Sequence, residues 1–240
     1  MTDRVVAVTG ASRGLGYAAA LGLAKAGAHV VALARTVGGL EELDDEIRTL
    51  GGSATLVPVD VTDFDALDRL GAALHERWGR LDGLFANAGE LGVVTPLTHM
   101  APKDFERVFS VNVTANWRLM RSFEVLLQAS DAGRALFVTS GAVHSRRPFT
   151  GAYAASKAAL EALVDVWAKE NARGTVRANL FDPGVLRTRM RAKYRPGEDP
   201  QTVPDPQTVV PAVVACLSPD CARNGHVWRA VSQTWEPIAP

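Results

Sequence analysis

Apolar residues along this chain follow two rhythms. Short apolar-rich runs with little polar alternation, such as "RVVAVTG", "HVVALAR", "ATLVPVDV" and "GRALFVTS", read as buried strands. Between them lie longer stretches whose apolar positions recur every three or four residues, the helical period. Strands are expected at 4–10, 29–35, 54–61, 81–89, 133–140 and 175–184, and helices at 15–27, 40–50, 63–79, 102–129 and 151–172. Punctuation agrees: Gly27 and the Gly51-Gly52 pair close helices, Asp63 suits an N-cap, and Pro102 opens the longest helix. After Gly184 the pattern weakens. "RAKYRPGEDPQTVPDPQ" is rich in Pro and charge and reads as a loop or flap, followed by a short helix at Thr208–Leu217 and a last strand at His226–Val231. Regular strand–helix alternation with short connections predicts an α/β fold: a doubly wound parallel sheet of about seven strands with helices on both faces. Right-handed crossovers then place a ligand crevice at the C-terminal ends of the strands. No linker or internal repeat interrupts the chain, so residues 1–240 are expected to form a single domain with a substrate flap at about 189–206.

Composition narrows the partners. Lys plus Arg is 26 and Asp plus Glu is 26, giving a formal net charge of zero. That balance offers no electrostatic argument for nucleic acid or an anionic membrane. Apolar residues make up 47% of the chain, enough for a large core, yet no apolar run is as long as a spanning helix. The N-terminus passes directly from "MTDR" into a strand, without the pattern of a signal peptide, so a cytoplasmic location is expected. Cys216 and Cys221 make neither a disulfide framework nor a metal cage, and no His/Cys/carboxylate spacing suggests a metal.

The junction of the first strand and first helix reads "TGASRGLG". Gly10, Gly14 and Gly16 let the backbone turn sharply and approach a pyrophosphate, while the helix N-terminus offers free N–H groups and positive potential. The spacing is G-x-x-x-G-x-G after Thr9, not G-x-G-x-x-G. In this it resembles the short-chain dehydrogenase/reductase family, in its small single-domain form. Further motifs over residues 4 to about 190 agree in order: Asp60-Val61 after the third strand, "ANAG" ending in Asn87, Ala88 and Gly89 after the fourth, "VNV" around Asn112, Ser140 with Tyr153 and Lys157 as S-x12-Y-x3-K, and "DPGVLRT" with Pro183, Gly184, Val185 and Thr188. The resemblance implies a Rossmann-like fold and a cofactor site. Ser12, Arg13 and Leu15 in the turn belong to that site, Asp60 and Val61 hold the adenine, Tyr153 and Lys157 join it with Lys157 on the nicotinamide ribose, and the stretch with Pro183, Gly184, Val185 and Thr188 contacts the carboxamide. It also implies a homodimer or homotetramer. The C-terminal "NGHVWRAVSQTWEPIAP" departs from the aliphatic strand with a Gly-Gly dipeptide that builds the tetramer in many relatives.

Tyr153 and Lys157 fall one turn apart on one helix face. A phenol ionises near pH 10, and a nearby ammonium or an oxidised nicotinamide favours the phenolate. Tyr153 can then give a proton to an alkoxide or take one from an alcohol. Ser140, at a strand's C-terminal end, can hold the substrate oxygen beside it. By resemblance, Asn112 holds a water bound to Lys157 and completes a proton path. The catalytic set is therefore Asn112, Ser140, Tyr153 and Lys157.

For the cofactor's phosphate, the second strand ends with Ala34 where an NAD enzyme places an acid, and Arg35 follows. Arg35 and Arg13 suit a 2′-phosphate, so NADP(H) is expected over NAD(H). The basic stretch Arg187, Arg189, Arg191, Lys193 and Arg195 reads as a solvated loop, with recognition of a phosphate, carboxylate or carrier-bound acyl group as the alternative. His144, Arg146 and Arg147 lie where the family's substrate passes. The expected function is an NADP(H)-dependent oxidoreductase acting on a small-molecule carbonyl or secondary alcohol, favouring reduction, with Tyr153 as acid/base. The alternative is a nucleotide-binding regulatory or scaffold protein on the same fold.

Overall fold

A computed structural model describes residues 1–238; Ala239 and Pro240, at the end of the expected domain, lie outside the described residues. The first half runs β1 (Val5–Thr9), α1 (Gly14–Lys25), β2 (His29–Ala34), α2 (Val37–Thr49), β3 (Ser53–Pro58), α3 (Phe64–Trp78) and β4 (Gly83–Ala86). The second half runs α4 (Pro102–Phe109), α5 (Ala115–Gln128), β5 (Arg134–Val138), α6 (Ala142–Ser145), α7 (Gly151–Glu170), β6 (Arg177–Asp182), α8 (Arg189–Tyr194), α9 (Val210–Leu217), β7 (His226–Arg229) and β8 (Thr234–Pro237). One eight-stranded sheet forms in the order β3-β2-β1-β4-β5-β6-β7-β8, and every pairing is parallel except β7 with β8.

Both faces of the sheet are covered, which is why its strands lack polar alternation. Val6, Val8, Val30, Phe85 and Phe181 pack under Leu23, Leu40, Leu43 and Ile47 of α1 and α2 and Val213 and Leu217 of α9. Ala7, Val31, Leu84, Phe137 and Leu180 point the other way, against Leu67 and Leu74 of α3, Phe123 of α5 and Leu160 and Trp167 of α7.

Three details differ from the sequence reading. The single helix expected over 102–129 is interrupted by a π-helical turn at Ser110–Thr114, wide enough to swing Asn112 toward β4. The strand expected over 81–89 ends at Ala86, releasing Asn87 to Gly89 as a loop at the sheet edge. The sheet has one more strand than the seven expected: the chain turns after Arg229 and returns as β8. A four-residue strand ending in proline carries little apolar signal, and proline is tolerated at this position because β8 is the sheet's edge.

The sheet's N-terminal edge is tied by one buried carboxylate. Asp82 accepts from Val5 N at 2.8 Å, Ser130 Oγ at 2.6 Å, Arg4 Nη1 at 3.2 Å and Arg80 Nε at 3.1 Å. Truncation leaves the buried Val5 N–H without its acceptor and takes from Arg4, Ser130 and Arg80 the group that joins them, although each keeps a second partner in Asp131 or the Asp3 carbonyl. Asp82→Ala is expected to cost about 3 kcal/mol of stability in urea unfolding; a loss below about 1 kcal/mol would contradict the bridging role.

Candidate active site

Parallel strands bring their C-terminal ends to one edge, and the chemistry-bearing residues collect there. Thr9 ends β1 and is buried; its Oγ1 accepts from Asn87 N at 3.0 Å and Ala88 N at 2.9 Å. The Asn87 amide answers by donating to Thr9 O at 3.0 Å. This clasp joins β1 to β4 at the point where strand order reverses, the topological switch point of a doubly wound sheet.

The Gly-rich turn fits over the clasp. Gly10 has φ +69°, and a Cβ added there would lie 2.9 Å from Asn87 Nδ2. A Cβ on Gly16 would lie 2.3 Å from the Gly10 carbonyl, so no side chain can be accommodated. Arg13 precedes α1 in extended conformation without a side-chain cap, so first-turn N–H groups of that helix remain available to an anion. Arg13 and Arg35 are exposed beside this turn, Ser12 is half-buried in it, and Leu15 turns into the core. Thr188 lies over the turn, its methyl 3.5 Å from where a Gly14 Cβ would stand, and its hydroxyl caps α8 by accepting from Arg191 N at 3.2 Å. Pro183 and Gly184 lead toward it from β6, and Val185 is exposed. The cradle, the uncapped helix start and the exposed guanidiniums fit a dinucleotide pyrophosphate and a 2′-phosphate.

Asp60 is more heavily engaged than its sequence suggested. It accepts from Thr62 N at 2.9 Å, Thr62 Oγ1 at 2.8 Å and Arg107 Nη2 at 3.2 Å, and Arg35 stands 3.7 Å away. Burial opposes its ionisation, yet these donors prevail and hold its carboxyl below the usual range. Val61 packs with Val111 and Ala115 in a small apolar cluster beneath the loop. Arg107 also reaches Glu90 at 3.3 Å, linking the α4 helix to the loop after β4. Sequence reasoning passed over Arg107, which reads as ordinary helix-surface charge.

Tyr153 and Lys157 lie one turn apart on α7, and Ser140 stands two residues past β5, which ends at Val138 and not at Ser140 as expected. Burial raises the Tyr153 phenol, the Ser140 hydroxyl beside it favours the phenolate, and the Asp182 charge opposes it. Lys157 is buried, its Nζ donating to Val138 O at 2.7 Å and standing 6.0 Å from the Tyr153 ring centre. Burial pulls its pKa down to about 8, with Glu161 pulling the other way. The ammonium therefore does not offset the phenol's burial as the sequence reading expected: it points to a backbone carbonyl. Asn112, fully buried, donates to Glu90 O at 2.9 Å and Ser156 Oγ at 2.9 Å and accepts from Glu90 N at 2.8 Å. Its Oδ1 and the Lys157 Nζ both face Gly89, 3.5 and 3.6 Å from a Cβ placed there. Asp182 was read only as the residue before Pro183-Gly184, although an acid ending a buried strand was the available signal. The basic stretch is partly neutralised: Arg187 pairs with Asp205 at 2.6 Å, and Arg191 pairs with Glu198.

Among the described residues no three His, Cys, Asp or Glu side chains gather as a metal site, and no helix is long and apolar enough to cross a membrane.

Buried Lys157 has a measurable pH signature. Below about pH 8 the fold bears the cost of its desolvated charge; between about 8 and 10.5 the native lysine releases its proton before the unfolded chain does, so that cost lifts as pH rises. Lys157→Met is expected to melt above the wild type near pH 7, the gap narrowing by about pH 10. A gap constant across that range would mean the lysine stays charged.

Known proteins share this fold. The profile of the short chain dehydrogenase family matches residues 4–199. An uncharacterized oxidoreductase of Escherichia coli K12, YciK, is 34% identical over 227 residues, covering 93% of this chain and 90% of its own. The short-chain dehydrogenase/reductase FrzI of a Cladobotryum species is 34% identical over 196 residues, covering 80% of this chain and 74% of its own. The solved structure of E. coli YciK superposes with a TM-score of 0.92 over 96% of each chain. A short chain dehydrogenase of Shigella flexneri complexed with NADP superposes at 0.92, with 33% identity over 96% of this chain and 98% of its own. Another, of E. coli CFT073 complexed with NADPH, superposes at 0.90, with 33% identity over 96% and 97%. The chain belongs to the short-chain dehydrogenase/reductase family and is an NAD(P)-dependent oxidoreductase acting on CH–OH and C=O groups.

Proposed function

We propose that this protein is an NADP(H)-dependent oxidoreductase of a small-molecule carbonyl or secondary alcohol, working chiefly as a reductase with Tyr153 as acid/base. The observation that carries the reading is the meeting of Ser140, Tyr153 and Lys157 with the glycine cradle on one sheet edge. Bound NADP(H) would supply or accept the hydride. Ser140 holds the substrate oxygen, and Tyr153 delivers the proton that oxygen needs on reduction or removes it on oxidation. Lys157, tethered at Val138 O, holds the cofactor's ribose, and the cationic ring of the oxidised cofactor favours the phenolate that burial opposes. Asn112 pins the π turn to Glu90 beside Lys157, where a water would link the pair to solvent. In this reading the remaining cofactor contacts come from Gly10, Ser12, Arg13, Gly14, Leu15, Gly16, Arg35, Asp60, Val61, Asn87, Ala88, Gly89, Pro183, Gly184, Val185 and Thr188.

NADP(H) is favoured over NAD(H) by the absence of an acid at Ala34 and by exposed Arg13 and Arg35. Two solved relatives hold NADP or NADPH. Arg107 neutralises Asp60, which leaves Arg35 freer to turn toward a phosphate. Residues 189–206, which hold α8 and a short 3-10 turn braced by the Arg191–Glu198 pair, are the segment read as the substrate flap. Trp117, Val125 and Val166 are exposed on α5 and α7, which suits a homodimer or homotetramer; the cytoplasm is the location proposed.

The direct test follows NADPH oxidation across a panel of ketones, aldehydes and acyl thioesters; turnover of none, with NADPH bound, would favour the regulatory alternative. Tyr153→Phe is expected to lower turnover at least ~10²-fold with cofactor affinity nearly unchanged, and near-normal turnover would remove Tyr153 from the mechanism. The wild type is expected to prefer NADP(H) at least ~10-fold in kcat/KM, falling toward parity in Arg35→Ala, because a hydrogen bond to a charged group contributes ~1.5–3 kcal/mol. Preference for NADH would overturn the phosphate assignment. Amides of residues 189–206 should gain hydrogen-exchange protection with cofactor and substrate together; equal protection would argue against a lid.

A further inference from the structure

Where β5, β6 and β7 end side by side, a second charged group stands next to the acid–base pair. Arg229 closes β7. Its Nη1 donates to Asp182 Oδ2 at 3.0 Å, its Nε to Glu236 Oε2 at 2.9 Å, and its Nη2 lies 2.9 Å from His144 Nε2. A guanidinium only donates, so His144 Nε2 accepts and the neutral ring keeps its proton on Nδ1. These side chains, with Gly141 and Ser145, line a shallow, open depression that begins next to Ser140. Asp182 is buried; its Oδ1 accepts from Gly184 N at 3.1 Å, and its Oδ2 would stand 3.7 Å from a Cβ on Gly141. Gly141 follows Ser140, so the Asp182 charge lies next door to the catalytic hydroxyls.

We propose that Arg229 is a positioning residue for the reaction: by pairing with Asp182 it holds that carboxylate's charge off the Tyr153 phenol, and by meeting His144 it fixes α6, which follows Ser140 in the chain. The proposal rests on the reading of Tyr153 as the acid/base group. Ser140, just past β5, and Asp182 of β6 act on the phenol, and behind Asp182 stand the Arg229, Glu236 and His144 groups of β7, β8 and α6, while Lys157 of α7 points to the Val138 carbonyl. A bare Asp182 would oppose the phenolate, and indeed its charge already acts in that direction. Pairing with Arg229 at 3.0 Å cancels much of that field. Nε, Nη1 and Nη2 are each engaged, so this guanidinium is committed to the protein and is not a free receptor for a substrate anion. Arg229 and Asp182 face each other in register across β6 and β7, which fixes the pairing in the backbone.

The test is the phenolate absorbance of Tyr153 in the near ultraviolet, isolated from Tyr17 and Tyr194 by subtracting the Tyr153→Phe titration. In Arg229→Gln the Tyr153 midpoint is expected to rise by about one unit, equivalent to about tenfold less phenolate at a fixed pH below it. Arg229→Lys should hold the wild-type midpoint, and adding Asp182→Asn to Arg229→Gln should restore it. Asp182→Asn alone, which leaves Arg229 without that anion, should lower the midpoint; this arm stands even where Arg229→Gln fails to fold. An unchanged midpoint in folded Arg229→Gln, a double variant that stays shifted, or no downward shift in Asp182→Asn would each overturn the proposal. The titration reads the phenol whether or not the enzyme turns over, so its failure is separate from retention of activity by Tyr153→Phe, which would defeat the acid/base reading itself.

Discussion

Thr9 holds the two halves of the sheet together at the place where the chain changes direction. After β3 the chain returns past β2 and β1 to lay β4 against β1, and a crevice opens at the carboxyl ends of those two strands. One buried hydroxyl accepts two backbone N–H groups of the loop after β4, and the Asn87 amide returns a bond to the Thr9 carbonyl. Gly10 and Gly16 are then forced, because the Asn87 amide occupies the space a side chain would need. The same loop continues to Gly89 and Glu90, which receive Asn112 from the π turn, and the floor of the site follows from that seam.

Electrostatics inside the site is a balance of buried groups. Lys157 sits without a carboxylate in direct contact and takes a carbonyl instead, which keeps it near the reacting centre at the cost of a depressed pKa. Tyr153 is pushed toward its neutral form by burial and by Asp182. Neutral phenol is the state needed to donate a proton in reduction, and the cationic ring of an oxidised nicotinamide would make the phenolate accessible afterwards. The two ends of the sheet divide the work: Asp82 joins strands at the N-terminal edge, while the C-terminal edge carries chemistry.

Most of the architecture was legible because a parallel sheet covered on both faces writes itself as unbroken apolar runs between amphipathic helices. What escaped depended on contacts distant in sequence. The π turn leaves no periodic trace, since its five residues, Ser110 to Thr114, sit inside a sound helical pattern and are distinguished only by what Asn112 bonds to across 22 positions. β8 is short, polar and proline-terminated, and exists because β7 offers it an edge. The motif residues could be found because their order and spacing resemble those of the short-chain dehydrogenase/reductase family. Arg107 and Arg229 could not, because an arginine bridging two acids from separate elements looks like any surface arginine until the strands are aligned. The basic stretch after Gly184 was legible as charge but not as pairing, since its acids, Glu198 and Asp205, lie 7 and 18 residues onward.

The central claim is that the clasped seam, the glycine cradle and the Ser140–Tyr153–Lys157 group form one site for a nicotinamide dinucleotide phosphate. A crystal structure of the protein grown with NADP⁺ tests it most directly. The account predicts the pyrophosphate over the first turn of α1, the 2′-phosphate against Arg13 and Arg35, and the nicotinamide beside Tyr153. A dinucleotide bound elsewhere, or one whose nicotinamide lies out of reach of the Tyr153 hydroxyl, would contradict it.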